Sequence, residues 1–281
     1  MIQKILVAVA GLGKCEQMLK MLMEIPSIQR ASVTILHVVQ PQVTAELMAE
    51  KLAAGGKILA DAIEYLQLDP SKVNVRLKQG DPKDTVCEVA EEENADLIVM
   101  GSRGLGRLKS ILSNSVSQYV FQLTSRPMLL IKDDTDIKHI NRIMVGYDNS
   151  IAAQESLKLA LFFLRDIKGG QLLLTQVKSD QKYVDALAKP ELDPIFAPAI
   201  NEAKKFGVAY KCIVTTGNPA KELCQVAETV HADLLMIGSP DRRPSIAKSL
   251  PDLDRLLGNS TSDYVRVKSP CPVLLTRSVV S

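Results

Sequence analysis

The sequence predicts two α/β domains, each an open, mostly parallel five-stranded sheet with helices on both faces. Three observations carry that expectation. Short β-branched and aliphatic runs alternate with segments of helical periodicity, and the first half keeps the order strand, helix, strand throughout. The second half then repeats the motifs of the first in the same order. Strands covered by helices on both faces read as continuous apolar runs, and these do.

Taken in order, Lys4 to Ala10 is a first strand, followed by a helix over Lys14 to Ile25 with Cys15, Met18, Leu19 and Leu22 on one face and Pro26 as its stop. Ser32 to Val39 is β-branched and apolar, a second buried strand. Thr44 to Leu66 is a long helical segment with Gly55-Gly56 as its expected weak point. Val73 to Lys78 is a third strand, Gly80-Asp81-Pro82 a turn, and Lys83 to Glu93 the next helix, whose Glu91-Glu92-Glu93 run is expected to be solvated. Ala95 to Met100 is the fourth strand, a helix covers roughly Ser113 to Leu123, and Pro127 to Lys132 is the fifth strand.

The repeat is specific. Ile5 to Ala10 recurs as Ile143 to Asp148, Gly80-Asp81-Pro82 as Gly217-Asn218-Pro219, Ala95-Asp96-Leu97 as Ala232-Asp233-Leu234, and Tyr119-Val120 as Tyr264-Val265, with extra residues after the fourth strand of the second copy. A repeat of this length marks a duplicated domain rather than a solenoid. The domains are expected at 1–133 and 140–281, joined by the short polar stretch Asp133 to His139.

Composition narrows the function. With 34 basic and 32 acidic residues the formal net charge is +2, and aromatics are 4% of the chain with no Trp, which argues against a nucleic-acid partner. The start, Met1 to Val7, lacks the long apolar segment of a signal peptide or a membrane span, so a soluble cytoplasmic protein without membrane insertion is expected. Five scattered cysteines without Cys-x-x-Cys suggest neither disulfides nor zinc. His37, His139 and His231 have no metal-ligand spacing, and no Gly-x-Ser-x-Gly, Walker or His-Glu-x-x-His motif is present, so no catalytic residue and no metal ligand is assigned.

The stretch that points to a ligand is Val99-Met100-Gly101-Ser102-Arg103-Gly104, an apolar strand running into a glycine-rich turn, followed by Asn114-Ser115-Val116-Ser117 at the start of a helix. Backbone N–H groups there, with the Ser115 and Ser117 hydroxyls and the positive end of the helix, suit a phosphate.

Together the motifs Ile5-Leu-Val-Ala-Val, Leu36-His37-Val38-Val39, Gly80-Asp81-Pro82, Ala95 to Gly104, Asn114 to Val120 and Pro127 to Ile131 resemble the universal stress protein family, twice over, across nearly the whole chain. The resemblance implies Rossmann-like domains of the adenine nucleotide alpha hydrolase-like kind. One branch of the family binds an adenine nucleotide, ATP foremost, with Mg²⁺ accompanying a triphosphate. It uses Gly-x-x-Gly, nine residues, then Gly-Ser or Gly-Thr at the phosphates and ribose, and an Asp at the end of the first strand near the adenine. In the first domain the implied contacts are Ala10, Val38 and Val39 on the adenosine side and Met100, Gly101, Ser102, Arg103, Gly104, Asn114, Ser115, Val116 and Ser117 on the phosphate side. Two departures stand out: Asn114 takes the later glycine's place, and Ala10 stands where the Asp belongs.

In the second domain Asp148 restores that aspartate, and Gly238, Ser239, Asn259 and Ser260 keep part of the phosphate side, while Pro240 and Asp241 replace the Arg-Gly of the loop. The first domain is therefore expected to hold the better phosphate site. The function implied is a stress-responsive, non-enzymatic regulatory protein, with slow ATP hydrolysis left open. The alternative is the branch that does not bind nucleotide and serves as a structural or adaptor module. An intramolecular pair of the two domains through their fifth strands, a homodimer of the tandem chain, and an unidentified regulatory protein partner complete the expectations.

Overall fold

The computed structural model describes residues 2–11, 13–102, 116–187, 189–239 and 260–277. The chain divides into two compact units, Met1–Asp134 and Thr135–Ser281. In unit 1 the elements are β1 (Lys4–Ala8), α1 (Lys14–Met23), β2 (Ser32–Val39), α2 (Ala45–Leu66), β3 (Val73–Gln79), α3 (Pro82–Glu92), β4 (Leu97–Ser102), α4 (Val116–Leu123) and β5 (Met128–Lys132). The strands run β3-β2-β1-β4-β5, every pair parallel. Unit 2 has β6 (Arg142–Gly146), α5 (Ile151–Leu164), β7 (Gln171–Lys178), α6 (Gln181–Ala186), α7 (Ala197–Lys205), β8 (Ala209–Thr216), α8 (Pro219–Thr229), β9 (Leu234–Ser239), α9 (Thr261–Lys268) and β10 (Val273–Arg277). Its strands run β8-β7-β6-β9-β10, again all parallel. No described helix is long and apolar enough to cross a membrane, and none of the five cysteines forms a disulfide.

Right-handed crossovers explain the layers. Steps from β1 to β2 to β3 move one way across the sheet, and the return to β4 and β5 moves the other. This puts α1 and α2 on one face, where they touch, and α3 and α4 on the opposite face, where they touch. Ile5, Leu6 and Val7 at the centre are at most 1% exposed.

Repeated motifs turn out to be anchors of backbone. In Ala-Asp-Leu the carboxylate accepts two amide hydrogens at the start of the central strand: Asp96 Oδ2 from Gln3 (2.7 Å) and Lys4 (3.0 Å), Asp233 Oδ2 from Asn141 (3.0 Å) and Arg142 (2.7 Å). In the Gly-Asx-Pro motif, Asp81 caps α3 by accepting from Lys83 N (2.8 Å), and Asn218 caps α8 by accepting from Ala220 N (3.1 Å), each with Pro in the first turn. The Glu run is not simply solvated. Glu91 pairs with Arg126, Glu92 with Lys78 and Glu93 with Arg76.

Two expected boundaries move. β1 ends at Ala8, because only Val9 N still bonds back to β2, at Leu36 O (2.9 Å), while Ala10 and Gly11 leave the ladder. β4 begins at Leu97 and runs through Gly101 and Ser102, which pair with Ile131 and Lys132 of β5. Likewise Gly238 and Ser239 end β9, opposite Thr276 and Arg277. These glycines are strand residues rather than the start of a turn, and they are small because a helix crosses them. A Cβ at Gly238 would lie 2.4 Å from the Ala152 carbonyl carbon in α5, and one at Gly101 would lie 3.3 Å from Cys15 Sγ in α1.

Gly55-Gly56 does not interrupt α2, which is continuous over its 22 residues. Gly55 is buried where α2 crosses the sheet: a Cβ there would meet His37 Cδ2 at 2.8 Å, Leu77 Cδ1 at 2.9 Å and Val39 Cγ2 at 3.0 Å. Around Gly56 there is open space. Adjacent glycines should therefore respond with opposite signs. Gly56→Ala gains helix propensity and stabilises by about 0.5–1 kcal/mol, whereas Gly55→Ala overpacks the helix–sheet contact and costs about 1–3 kcal/mol. Urea unfolding of both variants checks this.

Candidate functional site

At the carboxyl edge of the unit 1 sheet lies a cavity of about 770 Å³. Its position follows from topology. β1 is flanked by β2 and β4, whose connections leave on opposite faces, so the chain parts and leaves a crevice beyond the strand ends. The ends of β1 and β2 (Ala8 to Gly11, Leu36 to Gln40) form the floor, with Met100 and Gly101 of β4 beside them. The start of α1 (Gly13 to Glu16), a stripe of α2 (Lys51, Ala54, Gly55, Ile58), Pro82 and Val86 of α3, Val116 and Ser117 of α4, and Asp133 supply the walls.

Of the residues expected in the first domain, Ala10, Val38, Val39, Met100, Gly101, Val116 and Ser117 line this one cavity. Ser102 ends β4 beside it. Arg103, Gly104, Asn114 and Ser115 lie outside the described residues. Ala10 is exposed, and a Cβ at the neighbouring Gly11 would meet nothing within 4 Å, so the rim where the family's aspartate would stand is open. His37 also lines the cavity. Its Nδ1–H donates to Val9 O (2.8 Å), and since a carbonyl can only accept, that bond fixes the tautomer.

Several lining residues were not anticipated. The α2 stripe is one group, and Gly55 within a helix was its only sequence signal. Glu16 is another. It sits in the first turn of α1, 1% exposed, and its Oε2 accepts from Gly13 N (2.9 Å) while Oε1 is buried without a partner. Leaving such an atom unpaired costs about 1–3 kcal/mol. Burial holds the Glu16 carboxyl above the usual carboxylate range, opposed in part by backbone hydrogen bonds. Beside it the Cys15 thiol is pushed well up by burial and by the nearby Glu16 and Asp133 carboxyls, so it stays protonated and unreactive.

Unit 2 has a smaller cavity of about 360 Å³ at the equivalent edge. Asp148, Gly238, Ser239 and Ser260 line it, together with Gly146, Tyr147, Thr175, Gln176 and Ser262. Asn259 lies outside the described residues. Asp148 is exposed and accepts from Ser150 N (3.0 Å), and Ser150 caps α5 by accepting from Ala153 N (3.2 Å). Tyr147 occupies the position of Val9. It is 2% exposed, bonded through its hydroxyl to Asn149 Oδ1 (2.9 Å), and stacked on the buried Phe196 with ring centroids 6.4 Å apart.

A doubly wound parallel sheet with a cavity at the point where strand order reverses defines a Rossmann-like α/β fold, here present in two copies. The chain belongs to the universal stress protein family, whose model matches residues 1–132 and again 139–277. The universal stress protein YxiE of Bacillus subtilis is 29% identical over 148 residues, 47% of this chain and 100% of that protein. Among solved structures, a universal stress protein from Archaeoglobus fulgidus matches with a TM-score of 0.77 at 23% identity, covering 98% of this chain and 96% of that one. A universal stress protein family protein from Arabidopsis thaliana, solved with AMP bound, matches with a TM-score of 0.36 at 20% identity over 50% of this chain and 93% of its own.

The buried carboxyl gives a signed pH dependence. Because its folded pKa is raised, the native state holds a proton that the unfolded chain releases. The associated stability is complete below the unfolded carboxylate range and is lost as pH rises through the folded value. Glu16→Gln keeps an acceptor for Gly13 N and removes the titration. Its melting temperature should therefore exceed that of the wild type at neutral pH, and the gap should close on acidification. A gap independent of pH would contradict the assignment.

Proposed function

We propose that unit 1 binds an adenine nucleotide in the larger cavity, and that the protein is a regulatory binding module rather than an enzyme. The observation that supports this reading best is the cavity itself. Residues expected from separate stretches of sequence converge on one volume, at the sheet edge where such folds take ligands, within the usual size range for small-molecule pockets. Val38, Val39, Ala54 and Ile58 offer apolar surface for a purine. The amino-terminal end of α4, at Val116 and Ser117, offers backbone donors and a positive dipole for phosphate, while Lys14 and Lys51 stand on the α1 and α2 side of the cavity. Family membership adds to this the expectation of ATP as the nucleotide, with Mg²⁺ carried on its triphosphate. Among the described residues no cluster of three or more His, Cys, Asp or Glu is arranged to hold a metal, so the ion would depend chiefly on the phosphates themselves.

Binding only to the folded state stabilises it, by about 2.7 kcal/mol at a ligand concentration 100 times Kd. AMP or ATP at millimolar concentration should therefore raise the melting temperature by several degrees. Ala10→Trp, which puts a large ring at the open rim without touching the core, should remove that shift. Ala10→Asp should strengthen binding about three- to tenfold, by returning an acceptor to the adenosine side. Absence of any shift with either nucleotide would favour the branch of the family that acts without one.

A further inference from the structure

The α2 helix is one element in its hydrogen bonding and two in its packing. From Gly55 to Leu66 it is fastened to unit 1: Gly55, Leu59, Ala62 and Leu66 are buried, and Lys20 of α1 places its Nζ 5.4 Å from the centre of the Tyr65 ring. From Ala45 to Ala54 not one residue is buried. Met48 and Leu52, which continue the buried stripe at helical spacing, are only half-buried, and Leu47 is 44% exposed. This front half gains little from tertiary contact, the usual source of a helix's stability.

The two halves join at Gly55-Gly56. Gly55 is required by packing, since it is where the helix rests on His37, Val39 and Leu77. Gly56 is not: a Cβ there would meet nothing within 4 Å, and its φ is not positive. Glycine at an exposed helix position costs stability through its backbone freedom. What it supplies in return is the capacity to bend, directly beside the fulcrum at Gly55. The far end of the front half is loosely held as well. Gln40 to Thr44, which joins it to β2, is exposed apart from the half-buried Gln42, and Val43 is 99% exposed, so no hydrophobic staple fixes the start of the helix.

This loosely held half carries part of the cavity wall. Lys51 and Ala54 line the cavity, as does Ile58 beyond the join. Leu47, Lys51, Ala54 and Ile58 follow one another at i, i+4, i+7 and i+11, so they form one stripe, and Leu47 prolongs that wall by a further turn. We propose that Ala45 to Ala54 is a lid on the unit 1 cavity, pivoting at Gly55-Gly56 and closing Leu47 and Lys51 over the bound ligand. Closure covers apolar surface that the open form leaves in water, and Lys51 brings a positive charge to an anionic ligand. The identity of the ligand rests on the nucleotide reading, whereas the pivot does not.

Amide exchange of the ligand-free full chain, read residue by residue, tests the pivot. A lid that swings as a unit keeps its own hydrogen bonds and opens those that span the glycines, so exchange should peak at residues 56–59 and be slower on either side. Exchange that simply falls from the first turn inward is fraying of a helix end, and it overturns the proposal. Binding supplies the second arm. The chain has no Trp, so Leu47→Trp places a single reporter on the lid. Saturating AMP should move its emission to shorter wavelength and shield it from acrylamide, while Ala53→Trp, exposed and turned away from the lining stripe, should not respond. Gly56→Ala should raise the melting temperature and yet weaken AMP binding about threefold or more, because a stiffer helix populates the closed form less. AMP that binds with no change at Leu47→Trp, or that binds Gly56→Ala as tightly as the wild type, contradicts the lid. Failure of AMP to bind any variant, with the exchange peak at the glycines intact, removes the nucleotide reading and leaves the lid standing.

Discussion

The parallel pairing of one central strand with neighbours on both sides, β1 with β2 and β4, is the constraint on which unit 1 depends. Because both pairings are parallel, every connection must cross a face of the sheet, and the change of direction after β3 sends later helices to the other face. The crevice at the carboxyl edge is a consequence of that reversal. Asp96 secures the opposite edge by holding the first amides of β1, so one end of the central strand is fixed and the other is left open to a ligand. Unit 2 repeats the arrangement around β6, with Asp233 in the same role.

Much of this architecture was legible in the sequence, because buried parallel strands are continuous apolar runs and the duplication doubles each signal. Ser32–Val39 is assigned from its β-branched residues alone, and the Gly-Asx-Pro motifs mark the starts of α3 and α8 through capping chemistry. What sequence could not supply was the meaning of the glycines. Gly101 and Gly238 look like turn residues on spacing, and Gly55 looks like a break in a helix. At Gly55 and Gly238 a helix meets the sheet too closely for a side chain, and at Gly101 a side chain would press on Cys15 Sγ of α1. A glycine required by packing and one required by backbone conformation are identical in sequence, and only the neighbouring element distinguishes them.

Site residues divide in the same way. Those at strand ends, such as Val38, Val39, Met100, Asp148 and Ser239, are implied by the family resemblance, and the parallel topology explains why strand ends of one unit gather at one edge. Residues that reach a cavity from a helix flank, such as Lys51, Ala54 and Ile58, depend on how that helix lies over the sheet, which periodicity does not reveal. Glu16 was hidden for another reason: Gly13-x-x-Glu16 is an ordinary helix start, and its burial shows only in three dimensions.

Duplication followed by divergence gives a physical picture of the chain. One copy keeps a wide cavity by using small residues, Ala10, Ala54 and Gly55. The other has Tyr147 where the first has Val9, and a smaller cavity whose described lining includes Thr175, Gln176, Ser239, Ser260 and Ser262. The most direct measurement of the central claim is hydrogen–deuterium exchange with and without saturating AMP. Slowed exchange at the carboxyl ends of β1 and β2 and the start of α4, at residues 8–11, 37–40 and 116–118, is the predicted result. Unchanged exchange there, or protection confined to the Asp96 edge of the sheet, would contradict the account.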